Sequence, residues 1–173
     1  MTQGPAAQSD AVRDPRRGSI SDRYPAIATE LLNPLLDVLG RSREACGGDL
    51  DMFVILLAIT VRSTEHPDFK RLSQAQLLSG QVPELPSLRT NVHSIASSVG
   101  IPRETARRKV AALMAAGWVS RIGRDLTLTA KAYRKLGPVH QGVERLALRY
   151  FEVISGCLNE AEPETLSRVA DQD

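Results

Sequence analysis

Between Asn91 and Leu128 the chain reads NVHSIASSVGIPRETARRKVAALMAAGWVSRIGRDLTL. Its apolar residues keep a helical period, break, resume it, and then switch to alternation. Few folds accommodate that order. Asn91 is a good N-cap for Val92 to Val99, whose Ile95, Ala96 and Val99 share one face. Gly100 can take positive φ without steric cost and serves as the turn. Ile101 is an apolar plug beneath it, and Pro102 suits the first turn of a second helix, where its missing N–H is not needed. That helix is expected over Arg103 to Ala115, with Ala106, Val110, Leu113 and Met114 inward and Gly117 as the C′ residue that ends it. Trp118 to Ile122 alternates as a strand, Gly123-Arg124-Asp125 turns, and Leu126 to Leu128 returns. Trp118 is expected to pack under this hairpin rather than to offer a stacking platform. Thr129 caps a further short helix carrying Lys131, Arg134 and Lys135.

Charge is concentrated in the same region. The 173 residues hold 22 basic and 20 acidic side chains, a bland total. From Arg89 to Lys135, however, ten are basic and two acidic, which leaves 12 basic against 18 acidic elsewhere. A basic segment on a mildly acidic body points to a polyanionic partner. The order helix, tight turn, basic helix, hairpin is the one that sets a single helix into the DNA major groove, with its N-terminal end against base edges. On this reading Arg103, Glu104, Arg107 and Arg108 read bases, since Arg forks match guanine O6/N7 and Glu accepts from cytosine N4. Asn91, His93, Thr105, Lys109, Arg121 and Arg124 are expected on the DNA backbone, the last two from the hairpin tip.

The stretch IASSVGIPRETARRKVAALMAAGWV resembles the winged helix-turn-helix of the cyclic-AMP receptor/Fnr class of bacterial transcription regulators. The recognition helix of that class carries an Arg-Glu-Thr run followed by a further Arg, matched here by Arg103, Glu104, Thr105 and Arg108. The resemblance implies base reading by Arg103, Glu104 and Arg108, with Thr105 on phosphate. It covers only about Asn91 to Leu128. The N-terminal cyclic-nucleotide β-roll of that class has no counterpart, because the first 80 or so residues read as helical. The helical surroundings and LTAKAYRKL after the hairpin are more similar to the MarR class, dimers whose terminal helices interlock.

The flanks complete the expected organisation. Residues 1–21 hold almost no bulky apolar side chain and read as a disordered arm, with Arg13, Arg16 and Arg17 as a basic element. Residues 22–87 form a helical N-terminal region with a linker. Ser21 or Asp22 caps its first helix, Pro25 lies in the first turn, and Pro34 should kink or restart it. Asp49 caps a helix from Leu50 to Ser63 that is apolar nearly all round, and so is expected to be buried on more than one side, as core or in a dimer interface. His66-Pro67 ends that helix, Ser73 to Leu78 makes a short one, and Gly80, Pro83 and Pro86 mark a loop, a candidate insertion or ligand-responsive element. Residues 88–136 are the winged helix-turn-helix. Residues 137–158 are a helix in which Val139, Val143, Leu146, Tyr150, Val153 and Cys157 recur as a heptad seam, expected to pair with its twin across a two-fold axis, the alternative being packing on the chain's own core. Residues 159–173 are an acidic tail.

The fold class expected is therefore mainly α: a winged helix-turn-helix with a small β-hairpin wing and additional N- and C-terminal helices. The function expected is a dimeric, sequence-specific double-stranded DNA-binding transcription regulator on a palindromic site, with room for a small-molecule effector. The alternative is a winged-helix module that binds protein, or nucleic acid without sequence preference. An enzyme is not expected: His66, His93 and His140 are scattered, with no carboxylate cluster, nucleophile motif or phosphate loop beside them. No cofactor is expected, and Cys46 and Cys157, far apart and outside any CxxC, read as small buried apolar residues rather than as metal ligands or a disulfide. The N-terminus carries no apolar run of a signal peptide, and Met52 to Val61 is too short to span a bilayer, so a cytoplasmic, nucleoid-associated protein is expected.

Overall fold

The computed structural model describes residues 15–161. The chain is mainly helical with one two-stranded antiparallel sheet, in the order α1 (Pro15–Ala45), α2 (Leu50–Thr64), a 3-10 turn (Phe69–Arg71), α3 (Gln74–Ser79), α4 (Val92–Val99), α5 (Arg103–Ala115), β1 (Val119–Ile122), β2 (Asp125–Leu128), α6 (Ala130–Lys135) and α7 (Gly137–Ala161). Two compact units divide it: residues 37–143, and residues 1–36 together with 144–173. The acidic tail from 162 onward and most of the N-terminal arm lie outside the described residues.

In the larger unit α2 is the central element. Ile55, Leu56 and Ile59 are fully buried, and the helix packs on α4, α5 and β2. Burying each such side chain is worth roughly 1.5–3 kcal/mol. Asp49 starts α2 by accepting the Met52 N–H at 3.1 Å. Within the single chain α2 is covered along one flank, and Leu50, Val54, Leu57 and Val61 point outward and are 36–47% exposed. Its neighbours all lie on one flank, and an all-apolar sequence does not say how many neighbours a helix has.

The segment expected to be a linker is stitched along β2 instead. The Leu85 N–H donates to Leu128 O at 2.8 Å, Ala130 N–H to Pro83 O at 3.0 Å and Leu126 N–H to Thr90 O at 2.9 Å. Thr127 Oγ1 donates to the Leu85 carbonyl, and Leu85 and Thr90 are buried. Pro83 and Pro86 have no N–H to donate, so the segment lies against the sheet edge without becoming a regular strand.

Two expectations for α1 are also corrected. The helix begins at Pro15, inside the expected arm, and runs through Pro25 and Pro34 without a restart. Pro15 has the fixed φ that suits a first helical position. Each internal proline removes one hydrogen bond from a helix whose other residues remain helix formers. Farther along, α1 meets α7 where Gly142 is buried. A Cβ on Gly142 would lie 3.2 Å from Arg41 Cδ and 3.3 Å from Val38 Cγ2.

The smaller unit pairs the first part of α1 with the last part of α7, antiparallel. Tyr150 Oη donates to Leu31 O at 3.0 Å, and the Arg149 guanidinium bonds the carboxylates of Glu30 and Glu152. The heptad seam expected to face a twin is accordingly turned toward the chain's own α1 here: Val153 and Cys157 are buried and line a groove with Ala26 and Ile27. Leu146 and Tyr150 are half-buried. In the larger unit Val139 is buried, and Val143 is exposed.

Candidate nucleic-acid interface

The stretch from Asn91 to Leu128 is held by a side-chain cap at the start of α4 and by glycine-terminated backbone caps at the ends of α4 and α5. Asn91 Oδ1 accepts the N–H groups of His93 and Ser94 at 3.0 and 3.1 Å, and Ser94 Oγ accepts the Asn91 N–H at 3.0 Å. This reciprocal box fixes where α4 begins, and it occupies the Asn91 side-chain oxygen expected on the DNA backbone. His93, in the first turn, is exposed. Gly100 ends α4 at φ 70°, and the Ile101 N–H closes the turn on Ala96 O at 3.2 Å. Pro102 opens α5 with its carbonyl accepting from Ala106 N–H at 3.0 Å. The first N–H groups of α5 have no intrahelical acceptor, so this end of the helix carries partial positive charge. Gly117 at φ 72° ends α5 with a Schellman pair: Trp118 N–H to Leu113 O and Gly117 N–H to Met114 O, both at 2.9 Å.

Side chains on α5 separate cleanly. Ala106, Val110 and Leu113 are buried. Arg103, Glu104, Arg107 and Arg108 are exposed, followed by exposed Ala111, Ala112 and Ala115. Glu104 and Arg107 form a bidentate pair, Nε to Oε2 at 2.9 Å and Nη2 to Oε1 at 2.6 Å. The bond from Arg107 holds the Glu104 carboxyl below its ordinary pKa, and the same bond raises that of Arg107. Arg103 and Arg108 make no ion pair among the described residues. Thr105 is half-buried.

Lys109 departs from its expected place on the DNA backbone. Its Nζ lies 2.5 Å from Asp49 Oδ2 and 3.5 Å from Asp51 Oδ2, and its side chain is only 14% exposed. The reason is rotational: at 100° per residue Lys109 falls on the inner edge of α5, beside Val110 and Ala106, rather than with Arg107 and Arg108. That placement was legible in the helix spacing; the partner, 60 residues away, was not.

The hairpin pairs Val119 with Leu128 and Ile122 with Asp125. Its loop is therefore two residues, Gly123-Arg124, and Asp125 belongs to β2 rather than to the turn. Gly123, at φ 62°, takes the first loop position as a type II′ turn demands. Arg121 and Arg124 are exposed near the tip. Trp118 precedes β1, half-buried, and its carbonyl accepts from Thr129 N–H at 3.1 Å. Two more basic residues serve the fold: Lys131 Nζ donates to Ala116 O at 2.8 Å, at the negative end of α5, and Arg134 donates to Leu78 O at 3.3 Å.

Comparison of the chain with protein-family models, with characterised proteins and with solved structures returns no match. Among the described residues no group of three or more His, Cys, Asp or Glu is placed to hold a metal ion, and no helix is long and apolar enough to cross a membrane. Cys46 and Cys157 are free and buried, and burial pushes the Cys46 thiol pKa up.

Proposed function

We propose that this protein is a sequence-specific, double-stranded DNA-binding transcription regulator that acts as a homodimer. Residues 88–136 are its winged helix-turn-helix, α5 its recognition helix and β1–β2 its wing. The observation that carries this reading is the exposed cluster Arg103, Glu104, Arg107 and Arg108 at the N-terminal end of α5, with Glu104 and Arg108 opposite the buried row Ala106, Val110 and Leu113 and Arg103 exposed in the first turn. In a major groove about 12 Å wide, Arg103 and Arg108 offer free forks to guanine. The Glu104–Arg107 pair is solvent-exposed and screened, so it opens at small cost to meet cytosine N4 and a guanine. Ala111, Ala112 and Ala115 leave the rest of the outer face shallow, so the helix axis can approach the groove floor. Arg121 and Arg124 meet phosphate from the wing.

A second reading is favoured by one observation. Glu104 and Arg107 already satisfy each other, which leaves charge rather than pattern as the outward signal and fits a module without sequence preference. Selection of bound sites from random duplexes decides between them. Enrichment of a two-fold symmetric site with half-sites about one helical turn apart supports the regulator, and enrichment of no sequence supports the module.

A further inference from the structure

We infer that the cleft between the end of α2 and the start of α4 binds a phosphate group, gripped by Arg62 and Arg89, and that the DNA backbone supplies this phosphate when duplex is bound. The second half rests on the DNA binding proposed above, with or without sequence preference; the first half does not.

The two arginines are far apart in sequence, and packing makes them neighbours. The Leu88 N–H donates to Arg62 O at 3.0 Å, which ties the chain just before α4 to the last turn of α2. Beside this bond lies a cavity of about 240 Å³ that both arginines line. It exists because the helices present short side chains to it. Ala58 stands one turn before Arg62 on α2, and Ser94 and Ser98 stand one turn apart on α4. Thr90 and Ile95, both buried, also line it, and no carboxylate does. The hydroxyl protons are already used: Ser94 Oγ donates to Asn91 O at 2.9 Å and Ser98 Oγ to Ile95 O at 3.0 Å, while Thr90 Oγ1 lies 3.3 Å from Ser94 Oγ. The charged donors offered to a ligand are therefore the guanidinium N–H groups.

That donor set selects an oxyanion. Arg89 is exposed and makes no ion pair among the described residues. Arg62 is bonded through Nη1 to Glu65, a solvent-exposed pair that competes weakly. Two cations beside a recess without a carboxylate repel each other, and an anion between them relieves the repulsion. Guanidinium forks match the oxygens of a phosphate in spacing as well as charge. Position then names the source. The Leu126 N–H donates to Thr90 O at 2.9 Å, so Arg89 and Thr90 lie beside β2 close to the Ile122–Asp125 pair that ends the hairpin. The cleft is thus near the exposed Arg121 and Arg124. It also fills a role left open in the fold. The Asn91 side-chain oxygen caps α4 and Lys109 bonds Asp49, so neither is left to hold the helix-turn-helix on the backbone. A clamp at the start of α4 does so without reading bases.

The test compares the full-length wild type, Arg62→Gln/Arg89→Gln, the charge-keeping Arg62→Lys/Arg89→Lys, and Arg41→Gln/Arg43→Gln, which removes the same charge elsewhere. Circular dichroism confirms equal folding. Duplex binding is measured across a salt series, and inorganic phosphate is titrated at constant ionic strength while the backbone amides of Arg89 to Ser94 are followed by nuclear magnetic resonance. The glutamine pair at the cleft is expected to lower the slope of log K against log salt by about 1, with an unchanged consensus, and to lose the phosphate response. The lysine pair and the remote glutamine pair are expected to keep the wild-type slope. An equal fall in the remote pair would reduce the effect to net charge and overturn the clamp. An unchanged slope together with a lost phosphate response makes this a site for a free phosphate ligand and overturns the backbone assignment. If the cleft variant changes neither readout, the whole inference fails. A wild type that binds no duplex removes the proposed function and the backbone assignment, and the phosphate titration then decides the cleft alone.

Discussion

Asp49 and Lys109 join the start of α2 to the middle of α5: Lys109 Nζ stands 2.5 Å from Asp49 Oδ2 while Asp49 Oδ1 accepts the Met52 N–H at 3.1 Å. One carboxylate thus caps the central helix and anchors the helix that bears the outward arginines. Asp49→Ala removes both bonds and is expected to cost about 1–2 kcal/mol, read as a shift in the denaturant midpoint at unchanged slope. Lys109→Met is expected to cost about 1 kcal/mol and to leave the salt dependence of DNA binding unchanged. A reduced salt slope in Lys109→Met would return this lysine to the DNA backbone.

The same pair sets a pH dependence with two edges. The hydrogen bond from Lys109 lowers the Asp49 pKa, so its contribution to stability is present above the unfolded carboxylate value of about 3.9 and is lost as pH falls through the folded value. The bond to Asp49 raises the Lys109 pKa, so that contribution is present below about 10.4 and is lost as pH rises through the folded value. Thermal melts of wild type and Lys109→Met should differ most between these edges and converge beyond both. A constant difference at all pH values would mean that the lysine stem, not its charge, is what matters.

Arg103→Ala is expected to relax base preference at one position of the selected site by about 1–3 kcal/mol and to leave the other positions as they were. Competition binding against single-base variants of the site measures this. Uniform weakening on every sequence would assign Arg103 to phosphate.

For the hairpin tip the expected pattern is the reverse. Changing Arg121 and Arg124 together to Ala should weaken binding to all sequences alike and reduce the slope of log K against log salt by about 2. A changed consensus with an unchanged slope would contradict the backbone role.

Gly142 is buried where α1 and α7 meet, with Arg41 Cδ and Val38 Cγ2 at 3.2 and 3.3 Å from where a Cβ would stand. Gly142→Leu is expected to force these helices apart at a cost of about 1–3 kcal/mol, seen as a lowered melting temperature. An unchanged melting temperature would mean that the crossing is loose.

What the sequence determined by itself is the local grammar of residues 91–135. Asn91, Gly100, Pro102, Gly117, Gly123 and Thr129 act through their own backbone preferences and bonds a few residues away, so α4, α5, the hairpin and α6 were legible to within a residue or two. The outward placement of Glu104, Arg107 and Arg108 followed from helical spacing for the same reason, and Arg103 is exposed as the first residue of α5. Tertiary structure decided everything that depends on a distant partner. Lys109 went to Asp49, Lys131 to the end of α5, and Arg134 to Leu78, because a cation's partner is set by what packing brings near it and not by its neighbours in sequence. The segment from Pro83 to Thr90 became an edge to β2 because the sheet offered unpaired groups there. The heptad seam of α7 was correctly apolar, but a period of three and four residues names a face without naming what covers it; the chain's own α1 covers part of that face.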